Sequence, residues 1–227
     1  MKVLVTDYDN TLFVKNEKVF INNINILKEF RALNNILIIA TGRQYTDIKA
    51  KLLKYNIQYD YLICEDGMKI FDGNDKCLRV KYLDNTFVKE LLELVVTKNF
   101  NYLLDDGIKY SKNLNNCLKI AIMRKYNAED EILLEDIKTK FSSFSGYISA
   151  HFLNIMKSDI NKKEALKYLE KLFNLENIYT IGDGINDMEM LSYYGGAVMK
   201  KSILAKKTNK LIKYETLYHY VKQIINE

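Results

Sequence analysis

The 227-residue sequence contains no proline and only three cysteines. Cys64, Cys77 and Cys117 are odd in number and widely spaced, so they match neither a disulfide framework nor a metal-binding repeat. We therefore expect reduced thiols, as in the cytoplasm. The first residues enter a strand pattern directly, without the features of a secretory leader, and no apolar run approaches the roughly 20 residues that span a membrane. These absences predict a cytoplasmic protein with no membrane partner.

Long blocks of one charge are also missing. The chain has 34 basic and 29 acidic residues, a net charge of +5, and the basic residues are scattered. Without a basic cluster or a recognition motif, we expect no nucleic-acid partner. The mild positive excess suits the attraction of a small anionic molecule instead.

Short apolar runs alternate with amphipathic helical patterns in the first third of the chain, and the alternation returns in the last third. The apolar runs are 3–7, 36–40, 61–64 and 178–183, and helical spacing occurs at 22–33, 45–55 and 161–173. Such alternation is typical of a parallel sheet with helices on both faces. It predicts an α/β fold with a Rossmann-like, doubly wound parallel-sheet core.

The middle of the chain breaks this alternation. A turn signal at 72–75 joins two strand-like runs, and amphipathic helices at about 87–98 and 128–141 lie among further strand patterns. We interpret residues 69–153 as an inserted, smaller α+β cap domain. Residues 1–68 and 154–227 then form the α/β core.

Polar residues of restricted type follow three of the apolar runs. They are Asp7 and Asp9 after the first, Thr41 and Gly42 after the second, and Asp183, Asn186 and Asp187 after the last. Ligands of open α/β sheets bind at the carboxyl ends of the strands. If these strands are neighbours, three carboxylates and a hydroxyl converge on one site.

Crowded carboxylates repel each other unless a cation lies between them. Mg²⁺ takes oxygen ligands and commonly keeps a substrate phosphate in its coordination shell. The acidic cluster therefore predicts a Mg²⁺ cofactor and a phosphorylated small-molecule substrate. Thr41, at a strand end ahead of a helix, suits a phosphate oxygen.

Four motifs in order resemble those of the haloacid dehalogenase superfamily of phosphohydrolases. The stretches are DYDNT at 7–11, IATGR at 39–43, NKKEALKYL at 161–169 and GDGINDMEM at 182–190. The third stretch resembles one that carries a catalytic lysine, which would be Lys162, with Lys163 as the alternative. The large insert between the second and third motifs resembles that of the Cof-like, C2-capped group (type IIB).

The resemblance implies a role for each matched residue. Asp7 would be the nucleophile that forms an aspartyl-phosphate, and Asp9 the general acid and then the base. Thr41, Gly42, Lys162 and Asn186 would bind the phosphate. The Asp7 carboxylate, the Asp9 main-chain carbonyl and the Asp183 carboxylate would bind Mg²⁺, with Asp187 supporting the lysine. Asp66 stands where members of that family often have asparagine, so the resemblance does not predict which polar contact Asp66 makes.

These residues favour a phosphatase acting on a small metabolite, with a sugar phosphate as the expected substrate. A phosphosugar mutase would use the same aspartates, and a non-catalytic phosphometabolite-binding module could keep the same fold. Substrate choice would lie in the cap, where no motif stands out. We expect a monomer or a homodimer.

Overall fold

The computed structural model describes residues 1–112 and 114–227, and this part of the chain contains thirteen strands and eight α-helices. The strands are β1 Val3–Thr6, β2 Ile36–Ala40, β3 Tyr61–Cys64, β4 Lys69–Asp72, β5 Cys77–Val80, β6 Tyr102–Asp105, β7 Tyr110–Ser111, β8 Lys119–Met123, β9 Phe144–Ile148, β10 Phe152–Lys157, β11 Ile178–Gly182, β12 Ala197–Met199 and β13 Ile212–Tyr214. The helices are α1 Glu17–Ala32, α2 Tyr45–Lys54, α3 Asn85–Thr97, α4 Ala128–Lys140, α5 Lys162–Phe173, α6 Met188–Tyr193, α7 Ile203–Lys207 and α8 Leu217–Asn226.

The larger sheet has eight strands in the order β13-β12-β11-β1-β2-β3-β4-β5. Its first six strands are parallel, and β1 lies at the centre between β11 and β2. Thr6, the last residue of β1, is in register with Ile181 of β11 and Ile39 of β2. These three strands therefore end side by side, and the predicted doubly wound parallel core is confirmed.

Helices cover both faces of the larger sheet. On one face, α1 and α8 pack together and bury apolar residues such as Phe30 and Val221 against it. On the other face, α5 buries Ala165, Leu166 and Leu169. Because both faces are covered, the central strands are apolar on both sides, which explains their continuous apolar runs.

The smaller sheet has five antiparallel strands in the order β7-β6-β8-β10-β9. Helices α3 and α4 pack against it, and their buried residues include Leu91, Val95 and Leu133. This sheet forms its own apolar cluster, separate from the two clusters of the core. The unit matches the α+β insert expected from the sequence.

The predicted insert boundaries, 69 and 153, differ from the structure at both ends. The hairpin β4–β5 belongs to the larger sheet, because the chain turns straight back after β3 and β4 pairs with it antiparallel. At the other end, β10 continues in the smaller sheet to Lys157. The unit built on the smaller sheet therefore lies between Val80 and Lys157.

Candidate active site

A cleft of about 990 Å³ lies between the carboxyl ends of the central parallel strands and one side of the smaller sheet. From the core it is lined by the loops that follow β1, β2 and β11, which carry Asp7, Thr41 and Asp183. From the smaller sheet it is lined by Tyr110, Lys119, Arg124, Tyr147, Phe152 and Asn154. The predicted convergence of the three strand ends is therefore observed in the structure.

Lys162 lies at the centre of the site and is fully buried. Its ammonium donates hydrogen bonds to Asp7 Oδ1 at 2.7 Å and to Asp187 Oδ1 at 2.6 Å. Lys163 instead reaches outward to Glu189 Oε2, at 2.8 Å. Lys162, not Lys163, is thus the lysine of the site.

Helical phase explains this choice between adjacent lysines. Residues 162, 165, 166 and 169 follow the i, i+3, i+4, i+7 spacing of one helix face. Ala165, Leu166 and Leu169 are all buried against the sheet, so Lys162 at the helix start shares their face. Lys163 is turned about 100° away, toward solvent.

Asp187 holds the loop after β11 as well as the lysine. Its Oδ2 accepts hydrogen bonds from the backbone N–H groups of Asp183 at 3.1 Å and Gly184 at 2.8 Å, while Oδ1 accepts from Lys162. A Cβ at Gly182 would lie only 2.5 Å from the Asp187 carboxyl group, so a larger residue there would displace it. Both carboxylate oxygens of Asp187 are therefore already engaged within the protein.

Asp183 faces the residues that follow β1. Its Oδ1 accepts a hydrogen bond from the Thr11 hydroxyl at 3.4 Å, and its Oδ2 accepts one from the Asn10 amide at 3.3 Å. Burial, followed by repulsion from Asp187, raises the pKa of Asp183 to about 6. The crowded carboxylates thus oppose each other's ionisation.

Asp7 experiences the same crowding. Burial raises its pKa well above the usual value, and the charges of Asp187 and Asp183 act in the same direction, although Lys162 opposes them. Burial would lower the pKa of Lys162, but the carboxylates of Asp187 and Asp7 raise it overall. The lysine therefore stays charged and favours the ionised form of Asp7.

The acidic cluster has the chemistry of a site for a hard divalent cation. Carboxylate oxygens of Asp7, Asp183 and Asp187 lie within 4.8 Å of one another. Asp187 accepts three hydrogen bonds of 2.6 to 3.1 Å, whereas Asp183 accepts only two long ones of 3.3 and 3.4 Å, and one oxygen of Asp7 is bonded to Lys162. Asp7 and Asp183 are therefore better placed than Asp187 to offer an oxygen to a metal. An all-oxygen donor set with two carboxylates fits Mg²⁺, and a cation there would relieve the repulsion that raises both pKa values.

Asp9 is engaged differently from Asp7. The Arg43 guanidinium donates to both Asp9 oxygens, each at 2.6 Å, and also pairs with Asp47. Thr41, which is buried, accepts a hydrogen bond from the Arg43 backbone N–H at 3.2 Å. Arg43 therefore holds both oxygens of Asp9 at the edge of the cleft. The sequence placed Arg43 in a motif, but no pattern pointed to its pairing.

Asp66 connects several parts of the site. It is buried in a left-handed backbone conformation (φ 57°), which asparagine and aspartate tolerate better than most residues. Its Oδ1 accepts from the Asn186 amide and its Oδ2 from the Tyr147 hydroxyl, both at 2.8 Å. Asn186 is thus directed to Asp66. A Cβ at Gly42 would meet Asp66 Oδ1 at 2.9 Å, so glycine permits this close approach.

Tyr147 and Lys119 are contributions from the smaller sheet that sequence reasoning missed. Both lie on strands whose alternating pattern predicts one polar face, and a polar residue there is expected to face solvent. Lys119 is buried and Tyr147 is partly buried only because the smaller sheet lies against the core. No local signal in the sequence distinguishes them from surface residues.

Within residues 1–112 and 114–227, no helix has both the length and the apolar content to cross a membrane.

The chain is similar to the 5-amino-6-(5-phospho-D-ribitylamino)uracil phosphatase of Bacillus subtilis, with 25% identity over 207 residues, 86% of this chain and 82% of that protein. Its fold matches a phosphatase from Bacteroides thetaiotaomicron with a TM-score of 0.84 and 18% identity, over 100% of this chain and 94% of the other.

A subclass IIB sugar phosphatase of the haloacid dehalogenase superfamily has the same fold, with a TM-score of 0.79 and 16% identity over 100% of this chain and 98% of that structure. The family model for haloacid dehalogenase-like hydrolases matches residues 4–116 and 105–216, which together cover most of the chain. The resemblance drawn from the four motifs is thereby confirmed, and the chain belongs to the haloacid dehalogenase-like hydrolase family.

Proposed function

We propose that this phosphatase of the haloacid dehalogenase-like family depends on Mg²⁺ and hydrolyses a small phosphorylated metabolite, a sugar phosphate, through an aspartyl-phosphate intermediate. The observation that carries the proposal is the buried Lys162 ammonium bridging Asp7 and Asp187, beside Asp183, at the carboxyl ends of adjacent strands. Such an arrangement keeps a carboxylate ionised and fixed in a site otherwise unfavourable for its charge.

Asp7 is the proposed nucleophile. Its Oδ1 is held by Lys162, which leaves the other oxygen to attack phosphorus as the bond to the leaving alcohol oxygen breaks. Asp9 gives a proton to that alcohol and later takes one from the water that attacks the aspartyl-phosphate, which releases inorganic phosphate and restores Asp7. Arg43 holds Asp9 beside the cleft until substrate binds.

The remaining residues position charge. Thr41, the Gly42 backbone, Lys162 and Asn186 are the proposed partners of the phosphate group. The carboxylates of Asp7 and Asp183 and the main-chain carbonyl of Asp9 would hold Mg²⁺, which supplies positive charge to the phosphoryl oxygens. Asp187 keeps Lys162 and the Asp183 loop in place. Fixed positions and neutralised charge are the main sources of rate in phosphoryl transfer.

The substrate class rests on the cleft and on the relatives. A cleft of about 990 Å³, closed on one side by the smaller sheet, suits a small metabolite. The similar proteins include one named as a phosphatase of a phosphorylated ribityl compound and one named as a sugar phosphatase. We expect such a soluble metabolite to be met in the cytoplasm.

Phosphate release from a panel of sugar phosphates and other phosphomonoesters tests the proposal. We expect release with Mg²⁺ and its loss after chelation, with recovery when Mg²⁺ is added back. Analysis of the organic product identifies a mutase if the phosphate returns to the sugar instead of water. Binding of phosphate compounds without any release would indicate a non-catalytic module and contradict the proposal.

A further inference from the structure

A second buried lysine reaches the cleft from the smaller sheet. Lys119 begins β8 and is only 4% exposed, yet it lines the cleft together with Asp7, Thr41 and Gly42. Its ammonium donates a hydrogen bond to the Gly42 carbonyl at 3.3 Å. Lys119 therefore brings a positive charge from the cap to the core loop that follows β2.

The neighbouring carboxyl groups attract this ammonium without using its hydrogens. Asp66 Oδ2 lies 3.6 Å from Lys119 Nζ, and Glu65 Oε2 lies at 4.0 Å. The Asp66 oxygens already accept hydrogen bonds from Asn186 and Tyr147. Burial would lower the pKa of Lys119, but the charge of Asp66 raises it overall, so the ammonium remains charged at neutral pH.

The other cations of the site are already engaged. Lys162 is held by two carboxylates, and Arg43 by two others. Arg124 donates to a carboxylate and a backbone carbonyl, and Lys207 is exposed. Among the described residues that line the cleft, Lys119 is the only buried cation. It makes a single hydrogen bond. An ammonium has three hydrogens, so two remain.

We propose that Lys119 binds the phosphate group of the substrate together with Thr41 and the Gly42 loop, so that the cap completes the phosphate site. This inference rests on the proposed function and adds a residue from the cap to it. The two remaining hydrogens of the ammonium bond to phosphate oxygens, while Asp66 keeps the charge in position. Charge-assisted hydrogen bonds of this kind are stronger than neutral ones.

Calorimetric titration with inorganic phosphate, in the presence of Mg²⁺, measures this contact directly. We expect Lys119→Met to raise the dissociation constant by at least about tenfold, because two charge-assisted hydrogen bonds to phosphate are lost. Lys119→Arg keeps the charge and should retain most of the affinity. Circular dichroism melts identify folded variants, and Lys119→Gln, with the same expectation, replaces Lys119→Met if that variant does not fold.

Lys69 offers a matched control. Its ammonium also joins the core to the smaller sheet, since it donates to the Asp106 carbonyl at 3.4 Å, but it does not line the cleft. Lys69→Met should therefore bind phosphate as the wild type does. Equal binding by Lys119→Met and wild type would overturn the inference, and so would an equal loss in Lys69→Met, which would show a general effect of core–cap contacts.

The proposed function can fail separately. A wild-type protein that binds inorganic phosphate but releases none from any substrate contradicts the phosphatase proposal, while the titrations still decide the role of Lys119. A wild-type protein that binds no phosphate at all overturns both. In the expected case, the variants also separate in steady-state kinetics, with a higher KM for Lys119→Met and an unchanged KM for Lys69→Met.

Discussion

The core and the cap each bring one buried lysine to the same cleft, and the two lysines are held in different ways. Lys162, at the start of a core helix, is bonded to two carboxylates at 2.7 and 2.6 Å. Lys119, on a cap strand, has one hydrogen bond to a carbonyl and a carboxylate 3.6 Å away.

This difference indicates two kinds of task. A lysine with two of its three hydrogens taken by carboxylates orients those carboxylates and keeps them charged. A lysine that is charged but sparsely bonded can still receive an anionic ligand. On the proposals made above, the core builds the reacting groups, whereas the cap supplies a contact that depends on its position over the core. The following experiments test this division.

The largest effect is expected at Asp7, the proposed nucleophile. Asp7→Asn keeps the shape of the side chain but removes the charge that attacks phosphorus, so kcat should fall by at least roughly a thousandfold. Hydrolysis of p-nitrophenyl phosphate measures it. Asp159→Asn, at an exposed aspartate of the loop before α5, should be unchanged. Full activity in Asp7→Asn would refute the mechanism.

Removing the core lysine should be nearly as severe. Lys162→Met leaves the buried Asp7 and Asp187 without their cation, so we expect kcat to fall roughly 100- to 1,000-fold and the free energy of unfolding to drop by about 3 kcal/mol. Steady-state kinetics and urea denaturation measure these changes. The adjacent variant Lys163→Met loses only exposed contacts and should behave as wild type. The opposite order would reassign the catalytic lysine.

Where the core meets the cap, Glu65 should make stability depend on pH. It is fully buried, and burial, followed by the nearby charge of Asp105, raises its pKa to about 9 from the usual 4.5. Its protonated form is therefore favoured in the folded protein. The contribution of Glu65 to the free energy of unfolding is then complete below pH 4.5 and is lost as the pH rises to about 9.

Glu65→Gln removes this titration while keeping a hydrogen-bond donor for Asp105. At pH 7 we expect the variant to be more stable than wild type, by on the order of 2 kcal/mol, with the difference shrinking toward pH 5. Urea denaturation across this pH range measures the difference. The exposed Glu176→Gln is the control. A constant difference between the two proteins at all pH values would contradict the prediction.

The smallest effect is expected at the hydrogen bond that the uncharged Tyr147 donates to Asp66. Tyr147→Phe removes one hydrogen bond to Asp66 and should lower the free energy of unfolding by about 1 kcal/mol. Affinity for inorganic phosphate should stay close to that of wild type, because no charge is lost. A loss of phosphate affinity equal to that of Lys119→Met would show that core–cap contact, not the lysine charge, determines binding.

Much of the fold could be predicted because the central strands are fully buried. The β1, β2, β3 and β11 strands carry continuous apolar runs, which only a sheet covered on both faces explains. Short elements such as β13, three residues with two of them exposed, carry no comparable pattern. Helix α1 begins earlier than the apolar spacing indicated because the Asn16 side chain caps it.

The hairpin β4–β5 shows a second limit. Its turn signal predicted the hairpin itself, but nothing in the sequence showed which sheet it would join. That choice depends on the open edge of β3, to which β4 pairs antiparallel. Edge pairing is a contact between backbones and leaves little trace in side-chain pattern.

Some residues of the site could be predicted from the sequence and others could not. Asp7, Thr41 and Asp183 could be found because each directly follows an apolar strand, and parallel strands place such ends together. The helical spacing of α5 also favours Lys162 over Lys163, because Lys162 shares a helix face with Leu166 and Leu169. Pairings between separate elements, such as Asp9 with Arg43, had no local signal.

The sequence by itself therefore determined the parallel core, the residues at its strand ends and the family. These follow from local patterns, since strand burial and helix phase repeat at short intervals along the chain. Only the tertiary structure decided that Lys119 is buried against Gly42 and that the partly buried Tyr147 bonds to Asp66. Those residues are more than 70 positions apart from their partners, and a polar side chain becomes buried there only because two separately formed sheets lie against each other.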